Sequence, residues 1–130
     1  MTAPRTAFVG LPVKDLARSK AFFTAIGFAF DEQQSSDTSA RMVLSDTASL
    51  MLFAEPFFAQ FTGGAIADPR TAREATVGVS ATSRDEVDEL AAKAAEAGAT
   101  PLGVQDDGFM YMRAFTDLDG HYWSVIYMAF

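Results

Sequence analysis

The stretch Asp117-Leu118-Asp119-Gly120-His121-Tyr122-Trp123-Ser124 decides how the end of this chain folds. Largely apolar residues lead into it over 109–115, and a second apolar run leaves it over 122–130. The two Asp side chains can accept hydrogen bonds from the backbone of a tight turn, and Gly120 can take the positive φ that such a turn requires. The pattern therefore predicts a β-hairpin that closes the domain.

Composition restricts the class of protein and its partners. The chain has 130 residues, of which 49% are hydrophobic and 21% charged, which is typical of one folded domain with its own core. The net charge of −7 argues against nucleic acid or an anionic membrane as a partner, because both need a basic face. There is no cysteine, no signal-peptide pattern and no apolar run of transmembrane length. We expect a cytoplasmic protein.

The first half of the chain predicts a strand, a helix and three further strands. Residues 6–13 form the first apolar run, and the helical spacing of 16–26 follows with Asp15 as its N-cap and Gly27 as its stop. A strand begins at 28–30. Residues 40–44 and 49–53 predict a hairpin around a short polar turn.

The second half repeats this order after an irregular segment. Within that segment, Phe57, Phe58 and Phe61 have the spacing of a short amphipathic helix. A strand at 75–81 precedes a helix that begins with Ser83 and Glu86 as a capping box and stops at Gly98. A strand at 99–104 and the closing hairpin complete the chain.

Two landmarks indicate that one module is written twice. Gly27 and Gly98 end the two helices, Asp46 and Asp117 lie in the two late hairpin turns, and each pair is 71 residues apart. We therefore predict a single α+β domain over 1–130, made of two β-α-β-β-β modules. The modules span 4–56 and 74–130, and a linker spans 57–73.

Two phrases resemble the signatures of a known family. The opening phrase is Leu11-Pro12-Val13-Lys14-Asp15-Leu16 followed by Ser19, Phe22-Phe23 and Gly27-Phe28; the closing phrase runs from Gly108 to Trp123. Both resemble the vicinal oxygen chelate superfamily, which includes glyoxalase I, fosfomycin-resistance proteins, bleomycin-binding proteins and extradiol dioxygenases. The resemblance covers nearly the whole chain. It implies that the two modules form a cup-shaped, partly open barrel.

The positions that bind metal in that superfamily have changed in this chain. The resemblance places the three ligand positions, normally His or Glu, at Phe8, near Val77 and at Ser124. None of these side chains holds a divalent cation as His and Glu do. Glu74 stands three residues before Val77, so strand alternation puts it on the opposite face. We therefore expect neither a metal nor another cofactor; the one histidine, His121, lies in the turn.

The remaining feature is a pocket lined mainly by Met and Phe. Alternation from the inherited positions predicts that the inward residues are Phe8, Gly10, Arg41, Met51, Phe53, Val77, Met112, Ala114, Tyr122 and Ser124. Thioether and ring surfaces adapt to flat or apolar small molecules. The alternative is that these residues simply fill a core. Trp123 alternates with the inward set and is predicted to lie in the core.

Two functions follow from the resemblance. The first is metal-independent binding of a small molecule, as in the drug-sequestering relatives. The alternative is a lyase, isomerase or dioxygenase-type enzyme of the same superfamily that uses Tyr111 or Tyr122 as acid or base and Arg41 as an anion anchor. The resemblance also implies a homodimer, and the Phe57, Phe58 and Phe61 segment would offer apolar surface for it.

Overall fold

The computed structural model describes residues 4–129, which form two compact units that meet in sequence between Ile66 and Ala67. This boundary falls inside the predicted linker. Residues 1–3 and Phe130, which the predicted domain included, lie outside the described residues. No helix in residues 4–129 combines the length and the apolar character needed to cross a membrane.

The first unit is one four-stranded sheet with a helix in its crossover connection. Its elements are β1 (Ala7–Val13), α1 (Leu16–Ala25), β2 (Ala29–Asp31), a short 3-10 helix (Glu32–Gln34), β3 (Ser39–Ser45), β4 (Ala48–Ala54) and α2 (Glu55–Thr62). The strand order is β1-β4-β3-β2, with β1 parallel to β4 and the other pairs antiparallel. The predicted amphipathic helix is confirmed, although α2 begins at Glu55, inside the predicted first module.

The sequence explains where α1 begins, ends and packs. The Asp15 side chain caps it by accepting a hydrogen bond from the backbone N–H of Arg18, and Gly27 follows it with φ of 108°. Phe22 and Phe23 are buried, as are Leu50, Leu52 and Met42 of the sheet. The predicted cap and stop of this helix are confirmed.

The second unit repeats the plan. Its elements are β5 (Thr76–Ser80), α3 (Arg84–Glu96), β6 (Thr100–Asp106), β7 (Met110–Thr116) and β8 (Tyr122–Met128), in the strand order β5-β8-β7-β6. The Ser83 hydroxyl accepts a hydrogen bond from the Glu86 backbone N–H, which confirms the predicted N-cap. Val87, Ala94 and Trp123 form the core beneath α3. The predicted α+β class and its two β-α-β-β-β modules are confirmed.

The two landmarks of the repeat differ in their structural meaning. Gly27 and Gly98 have nearly the same φ, 108° and 114°, and end their helices with the same hydrogen-bond pattern. Asp46, however, is an exposed residue in the short turn between β3 and β4, whereas Asp117 is buried at the start of a longer turn between β7 and β8. Each Asp directly follows the third strand of its module, β3 or β7, so the equal spacing reflects equivalent chain positions that differ in burial and in the length of the turn.

The Asp117 carboxylate holds the closing hairpin together. One oxygen accepts the backbone N–H groups of Asp119 and His121 at 2.9 and 3.0 Å, and the other accepts the indole N–H of Trp123 at 3.0 Å. Gly120 adopts φ of 86°, as predicted. The guanidinium of Arg70 donates to the carbonyl oxygens of residues 118 and 119 and lies against Gly120, where a Cβ would stand 2.9 Å from Arg70 Cγ.

Replacing this carboxylate should destabilise the protein even when the shape is kept. In Asp117→Asn an amide NH₂ would take the place of one carboxylate oxygen, so it would either face the Trp123 N–H donor or leave a backbone N–H unpaired. We expect the free energy of unfolding, measured in urea, to fall by about 1–3 kcal/mol. Asp46→Asn, in the exposed turn of the first unit, is the matched control and should change it little. Equal losses in both variants would contradict this role of Asp117.

The same burial sets a pH dependence. Burial raises the pKa of Asp117 above its ordinary value of 3.8, against the opposing effects of the His121 charge and the Trp123, His121 and Asp119 N–H donors. Between 3.8 and the raised pKa, the folded state holds a proton that the unfolded state has lost. The contribution of Asp117 to the unfolding free energy should therefore decrease as pH rises through this window. A carboxyl ¹³C titration measures the pKa directly, and a value below 3.8 would show that the donors outweigh burial.

Candidate functional site

One face of the first unit's sheet carries five of the predicted pocket residues. The register of β1, β3 and β4 places Gly10 and Arg41 beside Met51. Phe8 lies two residues before Gly10 on β1, and Phe53 lies two residues after Met51 on β4. Because side chains alternate along a strand, these five share the face opposite Leu50 and Leu52, which lie in the core. The structure therefore brings the predicted residues of this unit together.

The phenylalanines of α2 extend this face into an aromatic cluster. The ring of Phe53 lies 5.4, 6.3 and 5.5 Å from the ring centroids of Phe57, Phe58 and Phe61. Gly10 makes room for it, since a Cβ on that residue would stand 2.7 Å from the Phe53 ring. Ring centroids at these separations pack favourably. The cluster formed by these four phenylalanines leaves Phe61 69% exposed, so it offers an open aromatic surface.

Arg41 is held in place on the same face by several neighbours. Its guanidinium lies over the ring of Phe8, 5.4 Å from the centroid, and its Nε donates to the Ser49 hydroxyl at 2.9 Å. A terminal nitrogen donates to the Gln34 side chain at 2.7 Å, and the carboxylate of Asp31 is 3.9 Å away. The cation is thus tied to the sheet, and Asp31 partly offsets its charge.

In the second unit, four predicted residues share one face and one does not. Ala114 pairs with Ser124, Tyr122 lies at the same parity, and Met112 is two residues before Ala114. Val77 pairs with Trp123, so the prediction that it points inward is wrong. Its neighbour Gly78 occupies that position opposite Ser124, where a Cβ would stand 3.2 Å from the Ser124 hydroxyl. The predicted inward position on β5 therefore moves by one residue, from Val77 to Gly78.

The corrected register also changes the inference about Glu74. That residue was placed on the opposite face by counting back from Val77 along a strand. In the structure β5 begins only at Thr76, so alternation along the strand does not determine where the Glu74 side chain points.

A cleft lies on the Ser124 side of the second sheet. Its volume is about 370 Å³, and it is lined by Gly78, Val79, Ser80, Ala81, Ile126 and Met128. The sequence analysis missed all of these residues, although Ile126 follows from Ser124 by strand alternation. It also missed Arg73, whose guanidinium lies over the ring of Tyr122 at 5.6 Å from the centroid. The other lining residues required the true register of β5.

The donor chemistry of the described residues does not suit a divalent metal. Residues 4–129 contain no group of three or more His, Cys, Asp or Glu side chains placed to hold an ion. At the corrected ligand positions stand Phe8, Gly78 and Ser124, which together offer one neutral hydroxyl. His121 lies in the closing turn, where its backbone N–H donates to Asp117.

The tyrosines of the enzyme alternative lie on opposite faces of the second sheet. Tyr122 is on the Ser124 side. Tyr111 is on the α3 side, where its hydroxyl donates to the carboxylate of Asp88 at 2.6 Å. That bond and the Arg113 guanidinium lower the pKa of Asp88. Because they lie on opposite faces, the two tyrosines do not form one acid–base arrangement within the second unit; Arg41 belongs to the first unit.

Comparison with known proteins agrees with this architecture. A hypothetical protein from S. aureus is 22% identical and superposes with a TM-score of 0.83, covering 97% of this chain and 95% of that one. A glyoxalase-related enzyme from Fulvimarina pelagi is 18% identical, with a TM-score of 0.80 and coverage of 95% and 87%. An antibiotic binding protein from Streptomyces sp. CB03234 is 17% identical, with a TM-score of 0.70 and coverage of 98% of both chains.

At these identities the structures establish a common fold and nothing finer. Comparison with curated protein sequences gives no match. The sequence model of the glyoxalase/bleomycin resistance protein/dioxygenase superfamily, however, matches residues 5–125, nearly the whole chain. The chain therefore belongs to the glyoxalase/bleomycin resistance protein/dioxygenase superfamily, as the resemblance of its opening and closing phrases predicts.

Proposed function

We propose that this protein binds a flat or apolar small molecule on its aromatic sheet surface and does not need a metal to do so. The observation that carries the proposal is the cluster of Phe53 with Phe57, Phe58 and Phe61 beside Gly10. Phe8 and Phe61, at 58% and 69% exposure, leave ring surface open on this unit. Exposed aromatic surface of this kind supports recognition of another flat molecule.

The second unit supports the same proposal with a different surface. Its cleft of about 370 Å³ has the size of a small-molecule site and is lined largely by small and apolar residues. Ser80 and the nearby Ser124 supply hydroxyl groups that could orient a ligand through hydrogen bonds. A protein of the same fold is an antibiotic binding protein, which supports a binding role for this architecture.

Metal independence rests on the side chains at the inherited ligand positions. A phenyl ring, a glycine and a neutral hydroxyl do not compensate a zinc or nickel ion for the water it loses. The described residues add no cluster of carboxylates or imidazoles. The proposal therefore assigns no step to a metal ion.

We extend the proposal to a homodimer in the cytoplasm. The support for the homodimer is the exposed apolar surface of Phe8 and Phe61 on the first unit. A homodimer should give twice the chain mass in light scattering after size-exclusion chromatography at micromolar concentration. A monomer under those conditions would contradict the proposed homodimer.

Removing one ring of the cluster should weaken ligand binding with little loss of stability. Phe61→Ala deletes an exposed ring that lies 5.5 Å from Phe53 and 6.1 Å from Phe57. We expect affinity for a planar aromatic ligand, found by thermal-shift screening and measured by calorimetry, to fall about three- to tenfold. Phe109→Ala removes a comparably exposed ring from the other unit and is the matched control. Equal affinity in the wild type and Phe61→Ala would contradict the proposal.

Metal analysis separates this function from the enzyme alternative. Protein prepared without chelator or affinity tag should contain well under one equivalent of transition metal per chain, and chelator should leave ligand binding unchanged. The reason is the lack of suitable donors at Phe8, Gly78 and Ser124. Near-stoichiometric metal that is lost in Glu74→Ala or Ser124→Ala would instead favour a metal-dependent lyase, isomerase or dioxygenase.

A further inference from the structure

A second cleft in the second unit lies on the α3 side of the sheet, away from the Ser124 face. Its volume is about 380 Å³, and α3, β6 and β7 line it with Asp88, Ala91, Ala92, Ala95, Pro101, Leu102, Gly103, Arg113, Ala114 and Phe115. Most of these side chains are small or apolar, and two are charged. Apart from Ala114, which is also one of the predicted pocket residues, none of these residues lines the surfaces described above.

The repeat shows which residues would otherwise occupy this space. The backbone N–H of Phe28 donates to the Phe23 carbonyl after α1, and that of Ala99 donates to the Ala94 carbonyl after α3. With Gly27 and Gly98 matching in φ, the two helix ends correspond residue by residue at an offset of 71, whereas the strands that follow share this offset along the chain but pair with their neighbours in different registers. Each position around this cleft can therefore be compared with its counterpart in the first unit.

In the first unit, side chains of α1 and β2 occupy the equivalent space. The Lys20 ammonium lies over the ring of Phe30, 5.7 Å from its centroid, and pairs with Glu32 at 3.1 Å. The counterparts of Lys20 and Phe30 are Ala91 and Pro101, both of which line the cleft. One long side chain and one aromatic ring are thus missing from the second unit.

The core behind this space is reduced in the same way. Phe23 and Phe28, whose rings pack 6.1 Å apart in the first unit, correspond to Ala94 and Ala99 in the second. On its helix wall, the cleft therefore lies where the repeat exchanges the long side chain of Lys20 for the methyl group of Ala91.

A charged pair stands at one end of the cleft. The Nε of Arg113 donates to one carboxylate oxygen of Asp88 at 2.5 Å, and the Tyr111 hydroxyl donates to the same oxygen at 2.6 Å. Within residues 4–129, the other Asp88 oxygen and the terminal nitrogens of Arg113 make no hydrogen bond. An acceptor and several donors thus stand side by side, and their charges offset each other.

We propose that this cleft binds a small neutral aromatic amide or lactam. The ring of such a ligand would occupy the space that Lys20 and Phe30 fill in the first unit. Its carbonyl would accept from the terminal nitrogens of Arg113, and its N–H would donate to the free oxygen of Asp88. The charges of Asp88 and Arg113 offset each other, so neither a carboxylate nor an ammonium ligand gains a net attraction, and a neutral group that both donates and accepts can pair with both side chains.

Benzamide is the probe, with benzoate and benzylamine as its anionic and cationic counterparts. In a ¹H–¹⁵N NMR titration of the full chain, benzamide should shift the backbone amides of Ala91 and Ala95 and the Nε–H of Arg113. The affinity for benzoate and for benzylamine should be lower than that for benzamide by roughly tenfold or more. Because the probes share one ring, the comparison isolates the polar group.

Two variants should block the cleft. Ala91→Leu fills it from its half-buried wall, and Ala95→Leu fills it from an exposed position on α3 that tolerates a larger side chain. Each should lower benzamide affinity roughly tenfold or more. Ala21→Leu, an exposed position on α1, is the matched control and should bind as the wild type does.

Three results would overturn the proposal. The first is a benzamide titration in which the NMR signals of the cleft residues do not shift. The second is an affinity that Ala95→Leu, shown to be folded by its NMR spectrum, leaves unchanged. The third is tighter binding of benzoate or benzylamine than of benzamide. None of these depends on ligand binding at the Phe53 cluster, so this test and that of the proposed function fail separately.

Discussion

The contact on which the second unit depends is the buried bond between the Asp117 carboxylate and the Trp123 indole N–H. A buried carboxylate is costly unless donors surround it, and the turn supplies two further backbone N–H groups. These bonds fix the length of the turn and carry Trp123 into the core under α3. The placement of Trp123 in turn determines which side chains of β8 face away from the helix, and Ser124 is among them.

The register of β8 then decides the chemistry of the surface beside it. Gly78 lies opposite Ser124 because β5 pairs with β8 in one specific register. A shift of one residue would have put the isopropyl group of Val77 there instead. The space over Gly78 is part of the cleft on that side of the sheet, so the hairpin and its buried carboxylate shape a surface on the neighbouring strand β5.

The two units share the same order of helices and strands but differ in the side chains that pack around them. The first packs Phe22, Phe23 and Phe28 around α1 and adds the aromatic cluster of α2. The second has alanines in the corresponding helix and places the Asp88–Arg113 pair beside the space that results. The same backbone can therefore offer an aromatic surface in one unit and a partly polar cleft in the other.

Much of the fold could be predicted from the sequence because it depends on local interactions. Asp15 and Ser83 cap their helices within three residues, Gly27 and Gly98 end them, and alternation groups Phe8 with Gly10 and Met112 with Ala114. Only the tertiary structure decided that Gly78 rather than Val77 faces Ser124, that Asp117 bonds to Trp123, and that α3 leaves a cleft beside β6. The physical reason is that alternation orders side chains within one strand, whereas the register between β5 and β8, over 40 residues apart, is set by packing across the folded sheet.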